Sequence, residues 1–527
     1  MKAWLRCTSA CAVLALFALT LGACSALRTD FAKRSSRALP PTTNTPSARY
    51  VHAAASRHPD ESGFRLLSNG TNALMSRVAL IDEARHSIDL QYYIFANDAT
   101  GRLVAQHLLA AADRGVRVRV LVDDIDVRQE VDMFEALNAS PDLRVRLFNP
   151  FHTRKPSLLS KAIQLLFSPS RLNHRMHNKS FIVDNNVAIV GGRNIGDDYF
   201  SFDRTTDFRD LDLIAIGSVV VEASRAFDEY WNSPDAYPVT AFLGGRASHA
   251  DLARLRKDLG RDARHFAQSD YARAAAQDYP DGPSGDRRGE WFWGPAVLVA
   301  DQPAKVEMRS DDPALRIGPR IREMTNEARH ELLLISPYFV PTRPDARYLL
   351  GLVTRGVTVR VLTNSLGSTD ELTVFAGYSR HRHALLEGGV QLYELRPATG
   401  APQPFTAKGT SSGVSLHAKA IVVDRRQVFV GSMNMDQRSK LLNTEMGIIV
   451  DSPALAQAVL QFFDTASSPA NAYRVSLVDK GSPHAGRMQW HARGASKTIT
   501  FTHDPGTTVK QRLEVALLKW LPIQGSL

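Results

Sequence analysis

The chain runs to 527 residues, of which 44% are hydrophobic and 22% charged. That length exceeds one ordinary domain, and that balance belongs to a globular chain with ample core, which excludes one too polar to fold. The 64 Lys and Arg residues outnumber the 54 Asp and Glu, and the resulting charge of +10 favours an anionic partner, nucleic acid or an acidic membrane surface, while fitting a merely solvated basic surface equally well.

Cys7, Cys11 and Cys24 are all the cysteines, so the body beyond them has neither a disulfide nor a thiolate metal site. Residues 1–23 read as a signal peptide: Lys2 and Arg6 precede an apolar run from Ala12 to Leu19, and Leu21-Gly22-Ala23-Cys24 closes it. The run is short for a membrane span, and small residues mark a cleavage point. That ending resembles the lipobox of bacterial lipoproteins, which implies lipidation of Cys24 and a cell-envelope location. A plain secretory signal or an uncleaved anchor is the alternative. Asp after such a Cys implies inner-membrane retention; Ser25 stands here and leans towards the outer membrane, on its periplasmic face. Residues 24–50, rich in Ser, Thr, Pro and Arg, read as a flexible linker on which a basic stretch reinforces a lipid anchor.

The remainder is internally duplicated. Glu83-Ala-Arg-His86 recurs as Glu327-Ala-Arg-His330, and Arg114-Gly-Val-Arg-Val-Arg-Val-Leu121 as Arg355-Gly-Val-Thr-Val-Arg-Val-Leu362. His177-Asn-Lys179 with Asp184 and Gly191-Gly-Arg-Asn194 recurs as His417-Ala-Lys419 with Asp424 and Gly431-Ser-Met-Asn434. Each half reads as an apolar strand (Ser87 to Phe95; Leu332 to Phe339), a helix and a Val-rich strand opened by the Arg-Gly step. In the first half, Leu103, Val104, His107, Leu108 and Ala111 recur at helical spacing. The alternation predicts α/β architecture with sheets buried on both faces: two halves, 51–245 and 296–465, packed about a pseudo-two-fold axis. Residues 246–295 read as an insert ending in Trp291-Phe-Trp293, either packed on the body or facing a membrane or substrate. Residues 466–527 read as a C-terminal extension. Val509 to Trp520 reads as an amphipathic helix carrying Lys510, Arg512 and Lys519, expected to pack on the core, with membrane contact as the alternative.

Strand parity puts His177 with Lys179, and His417 with Lys419, on one face. Asp184 and Asp424 fall at odd offset, so each is expected to anchor a turn. Two-residue hairpin loops at Asn185-Asn186 and Arg425-Arg426 would set Asn194 opposite His177 and Asn434 opposite His417, with Gly192 and Ser432 opposite the two lysines. Lys and Asn suit charge on phosphoryl oxygens. One imidazole can attack phosphorus while a second protonates the leaving alkoxide, so the chemistry needs both halves. A neighbouring Lys on the same face disfavours a metal at either His. Glu445, and Asp210 at the corresponding place in the first half, are candidates to hold the imidazoles' other nitrogens; Asp212 competes with Asp210.

These residues make the chain similar to the phospholipase D superfamily, whose HxK(x)4D motif occurs twice. The runs Ser170 to Ser180, Val190 to Gly196, Tyr338 to Thr342 and Asn443 to Gly447 resemble its cardiolipin synthase branch of the C type. The resemblance, over about residues 60 to 465, implies a phosphatidyltransferase with one shared active site. It would act on phosphatidylglycerol and a second phospholipid through phosphatidyl-histidine, with no metal or organic cofactor. It implies a catalytic set of His177, Lys179, Asp184, His417, Lys419 and Asp424, with Asn194, Ser432 and Asn434 on the phosphate. Because Gly192 replaces the Ser, hydroxyl help is expected only from Ser432. Membrane phospholipid is the expected partner. A hydrolytic phosphodiesterase on phospholipid, or less readily nucleic acid, is the alternative, and no nucleic-acid-binding module is visible.

Overall fold

The computed structural model describes residues 33–125, 131–150, 173–202, 206–241, 247–278, 291–307, 312–397, 413–494 and 497–520. The signal peptide 1–23, Cys24 and residues 25–32 of the linker lie outside the described residues.

The first half contributes β1 (Ser62–Leu67), β2 (Ser87–Tyr92), β3 (Arg117–Asp123), β4 (Leu143–Phe148), β5 (Ser180–Val183), β6 (Val187–Gly191), β7 (Thr206–Arg209), β8 (Asp212–Ile216), β9 (Ala236–Pro238) and β10 (Phe292–Gly294). The second contributes β11 (Ala296–Ala300), β12 (Glu331–Ile335), β13 (Thr358–Asn364), β14 (Gln391–Leu395), β15 (Gly413–Leu416), β16 (Ala420–Val423), β17 (Gln427–Gly431), β18 (Met446–Asp451), β19 (Ala472–Leu477), β20 (Met488–Arg493) and β21 (Thr498–Phe501). One sheet runs β10-β1-β8-β6-β5-β2-β3-β4-β9 and the other β11-β18-β17-β16-β12-β13-β14-β19-β20-β21. From β1 to β9 and from β11 to β19 the order is the same, so the duplicated sequence is a duplicated fold.

In each sheet three strands are parallel, β2-β3-β4 and β12-β13-β14, and their neighbours are antiparallel. The parallel crossovers need helices, supplied by Ala99–Asp113 and Arg343–Thr354. The Arg-Gly step ends both: Gly115 (φ 85°) and Gly356 (φ 89°) take the left-handed conformation that lets the chain turn straight into β3 or β13.

The helices Ser218–Asn232 and Pro453–Ala466 lie between the sheets. Phe227 and Trp231 of one and Val459 and Phe463 of the other share a core with Leu213 and Val190 of the first sheet and Val430 and Ile448 of the second. Each half also has its own outer core. The halves are further joined by β7 and β15, which pair in parallel from Thr206↔Gly413 to Arg209↔Leu416.

Three expected boundaries change. Residues from Lys33 onward are not a free linker. The Ala38 amide donates to Asp228 (2.7 Å), Arg119 to the Ser36 carbonyl (3.0 Å) and Asn185 to the Leu39 carbonyl (3.0 Å). Arg119 and Arg146 are buried guanidiniums needing acceptors, and an extended segment offers its carbonyls to them. The described residues of the expected insert, 247–278 and 291–295, are part of the first half: Leu252, Leu255, Leu259 and Phe266 of helix His249–Ala267 enter its core, and β10 pairs with β1. Trp293 stacks on His58 (4.0 Å) and Trp291 donates to Tyr50 (3.1 Å), so the aromatic trio packs against the body. Beyond 465, β19 pairs with β14 as β9 pairs with β4, and β20 and β21 continue the sheet.

The hairpins also differ from expectation. Val183 pairs with Val187 and Val423 with Gln427, so each turn has three residues. Asp184 and Asn185 (both φ 52°), and Asp424 (φ 50°) and Arg425 (φ 56°), are left-handed. The shift leaves Lys179 level with Gly191 and Lys419 with Gly431, rather than with Gly192 and Ser432; the Gly431 amide donates to the Lys419 carbonyl (3.2 Å). The Asp conformation has a clear cause. Asp184 accepts the amides of Arg85 (3.1 Å), His86 (2.7 Å) and Ser87 (3.0 Å), and Asp424 those of Arg329 (2.9 Å), His330 (2.8 Å) and Glu331 (2.8 Å). The repeated Glu-Ala-Arg-His run is thus the partner of the repeated Asp. Asp184→Ala strips one acceptor from three amides at the head of a central strand. We expect a loss of about 2–3 kcal/mol, read as a lower urea midpoint with an unchanged m-value.

Candidate active site

The two motif histidines are nearly buried, each 7% exposed, and Lys179 and Lys419 are 1% exposed. His177 to Lys179 and His417 to Lys419 precede β5 and β16 rather than lying within them. Each lysine still turns back towards its histidine: Lys179 Nζ donates to the His177 carbonyl (2.6 Å), and Lys419 Nζ to that of His417.

The decisive geometry lies between the halves. His177 Nδ1 stands 2.8 Å from Glu445 Oε2, and His417 Nδ1 stands 2.6 Å from Asp210 Oδ2. Each imidazole is held by the carboxylate of the opposite half. The backbone imposes the exchange. The His177 amide donates to the Thr444 carbonyl (2.9 Å) and the Thr444 amide to the Arg175 carbonyl (2.9 Å), one residue before Glu445. Reciprocally, the His417 amide donates to the Arg209 carbonyl (2.8 Å), one residue before Asp210. Such reciprocity is what a two-fold relation requires.

Residues that the motif does not contain hold these segments. Asp123, ending β3, takes the Arg175 guanidinium (2.6 Å) and the Met176 amide (2.8 Å). Its repeat counterpart Asn364, ending β13, bonds both the amide (2.9 Å) and the carbonyl (3.0 Å) of Leu416. Asp301 accepts the Glu445 amide (2.8 Å) and the Lys305 ammonium (2.7 Å). The repeat of Arg-Val-Leu-Val-Asp123 as Arg-Val-Leu-Thr-Asn364 was the available signal for the first pair; Asp301 had none. Tyr93 meets His177 edge-on (5.0 Å), and Tyr199 meets His417 (5.1 Å).

Asp212 is not at an imidazole; it pairs with Arg77 (2.9 Å) and Arg193 (3.4 Å). Asp184 and Asp424 stand at the strand heads described above. Ser432 gives its hydroxyl to Glu445 (2.5 Å) and accepts the Met446 amide (3.0 Å), so it orients the carboxylate rather than facing phosphate. Gly192 has no room for the same device, since a Cβ there would come within 2.1 Å of Asp210 Oδ1. Asn194 donates to the Tyr199 hydroxyl (2.8 Å) and accepts the Ile94 amide (3.1 Å). Asn434 is 4% exposed, its Oδ1 unbonded among the described residues.

Burial dominates the electrostatics. It lowers His177 to about 4 and His417 to about 3 despite their carboxylates, so both rings are neutral before substrate enters. Burial, with repulsion from Lys419, brings Lys179 down to about 7. Burial likewise brings Lys419 to about 8. At Asp210 and Glu445 burial is outweighed by the facing imidazole, through its charge once protonated and through its hydrogen bond, and by the lysine charges, which together hold both carboxyls low. With Nδ1 tied to carboxylate, each ring offers Nε2 to a ligand. Neutral nitrogen bases beside two labile ammoniums suit an entering phosphodiester. Among the described residues no group of three or more His, Cys, Asp or Glu is placed to hold a metal.

The profile of the cardiolipin synthase, phospholipase D-like domain matches residues 78–231 and 321–466, spanning both motif copies. This chain belongs to that family. It is 38% identical over 480 residues to cardiolipin synthase C of Escherichia coli strain K12, covering 90% of this chain and 98% of that protein. It is 28% identical to cardiolipin synthase 2 of Bacillus anthracis, over 76% of this chain and 64% of that one. In fold it is similar to the crystal structure of phosphatidylserine synthase from Haemophilus influenzae Rd KW20 (TM-score 0.55, 12% identity), covering 90% of this chain and all of that one. Two duplicated phospholipase D-like halves are therefore both its sequence family and its fold.

Two predictions follow from this geometry. Glu445→Gln and Asp210→Asn keep the shape but remove the charge opposite Nδ1, and each should lower kcat by about 10²–10⁴, measured with saturating lipid. The lysines lose charge as pH rises, so kcat/KM for an anionic phospholipid should fall on an alkaline limb with apparent pKa between about 7 and 8. A profile flat through that range would contradict it.

Proposed function

We propose that this phospholipase D-superfamily phosphatidyltransferase makes cardiolipin from phosphatidylglycerol and a second phospholipid. The observation that carries the mechanism is the pair of exchanged contacts, His177 with Glu445 and His417 with Asp210. Nε2 of one imidazole attacks phosphorus, forming a P–N bond. The P–O bond to the departing head-group breaks, and the other imidazole, protonated when the phosphodiester enters, gives its proton to that oxygen. The product is phosphatidyl-histidine. The free glycerol hydroxyl of phosphatidylglycerol then attacks phosphorus, its proton passes to the second imidazole, and the P–N bond breaks. Lys179 and Lys419 carry the phosphoryl charge, with amide donors from Asn194 and Asn434. Glu445, supported by Ser432, and Asp210 hold each ring and stabilise it when charged. Asp184 and Asp424 act on the scaffold.

The family match to both halves and the names of the Escherichia coli and Bacillus relatives support the substrate class. Among the described residues no helix is long and apolar enough to cross a membrane. Attachment through a lipidated Cys24 on the periplasmic face, towards the outer membrane, completes the reading; its support is the Leu-Gly-Ala-Cys-Ser sequence.

The test is expression in cells lacking cardiolipin, followed by lipid extraction. The unchanged protein should produce cardiolipin. His177→Ala and His417→Ala should each reduce it by more than about 10³-fold, because neither half has a second imidazole. Phosphatidic acid as the sole product would mean that water is the acceptor, and substantial cardiolipin from either variant would overturn the shared site.

A further inference from the structure

The last described helix, Val509–Leu518, is capped by Thr508 and Gln511 and buries Val515 (4% exposed) in the second half's outer core, packing on the helix Leu372–Ser379. Arg380 ties down its end through the Leu518 and Lys519 carbonyls. The opposite face does not fit the core packing expected for it. Val509 is 64% exposed, Leu513 60%, Leu517 71% and Trp520 88%. Among the described residues six large hydrophobic side chains are exposed, and these are four of them. At 100° per residue Val509, Leu513 and Leu517 fall within an arc of about 80°, and Trp520 stands in the turn that follows the helix.

Basic residues border that arc. Lys510 lies along one edge, and Arg512 and Lys519 along the other, against a single acid, Glu514, which pairs with Lys510 at 3.7 Å. A leucine stripe with a terminal Trp and flanking cations is the composition of a helix lying in a membrane interface: apolar chains sink below the head-groups, Trp sits among them, and cations meet anionic phosphates.

The segment leading into the helix also touches a loop that reaches the site. Pro505 and Gly506, just before its N-cap, lie against Gly367, where an added Cβ would stand 3.4 Å from both their carbonyl oxygens. In the same loop Asp370 accepts the Tyr338 hydroxyl (2.7 Å), and its charge bears on Lys419. The helix Leu372–Ser379, on which the C-terminal helix packs, begins directly after that loop.

We propose that the helix Val509–Leu518, with Trp520 in the turn after it, is a docking element that lies in the surface of an anionic phospholipid bilayer and brings the active site to its substrate. This rests on the phospholipid reading above, but its test does not require catalysis. The full chain with Cys24→Ser, which cannot be lipidated, is mixed with vesicles of phosphatidylglycerol and phosphatidylcholine in equal parts and sedimented. It should bind them, more weakly as salt rises. Adding Leu513→Glu and Leu517→Glu, both solvent-facing, should weaken partitioning by at least about tenfold, while the melting temperature and turnover of phosphatidylglycerol in detergent micelles stay unchanged. Equal sedimentation of the two proteins, or none by either, would overturn the proposal. A concentration-dependent dimer abolished by the two replacements would also overturn it, by assigning the stripe to a second copy of this chain. Vesicle binding that is lost as expected, in a protein making no cardiolipin, would leave the docking helix standing and remove the catalytic reading alone.

Discussion

Each site imidazole gives its Nδ1 side to a carboxylate from the other half, at 2.8 Å in one case and 2.6 Å in the other. Most of what surrounds the site serves that exchange. Backbone bonds from His177 to Thr444 and from His417 to Arg209 set the register, while Asp123 and Asn364 hold the segments from behind. A buried carboxylate without its partner is costly, so the exchange also fixes how the halves dock. One half alone would bury an imidazole with no acceptor for Nδ1 and a carboxylate with no donor, and it would lack a second ring to move the proton.

Before substrate enters, the site is electrostatically unfinished. Two ammoniums and two imidazoles are buried against two carboxylates, and burial lowers all four bases. A phosphodiester placed among them adds negative charge where positive charge is suppressed. It therefore raises the affinity of imidazole and lysine for protons as it enters. Substrate arrival thus prepares the acid the first step requires, while a neutral ring remains as nucleophile. The two halves are not identical in this respect. Asp210 lies so close over Gly192 that a side chain there is excluded, whereas Glu445 leaves space that the Ser432 hydroxyl fills. The same task is done by a bare glycine under a short carboxylate and by a serine bonded to a long one.

Much of this was legible in the sequence, because a duplication repeats its own spacing. The Glu-Ala-Arg-His runs, the Arg-Gly steps and the two motif copies located the same strands, helices and turns twice, and equivalent strands take equivalent places in both sheets. Parity failed at the hairpins because Asp184 and Asp424 enter the turn in the left-handed conformation to reach three amides; a pattern of residue types does not display that choice. The exchange of carboxylates was not legible either: Glu445 and Asp210 were found by position within their own halves, and nothing local says which imidazole they meet. The polar segment after Lys33 reads as linker by composition, yet it packs because buried Arg119 and Arg146 need its carbonyls. The C-terminal helix showed its amphipathic period in the sequence, but which face is covered depends on its contact with Leu372–Ser379.

If the halves form one shared site, rather than two that happen to be alike, the stoichiometry of the covalent intermediate shows it. Protein mixed with phospholipid radiolabelled at phosphorus, quenched within a turnover and digested, should carry label on a single histidine, His177 or His417, at no more than one equivalent per chain. Label on both histidines approaching two equivalents per chain would mean that each half works alone, and would contradict the account.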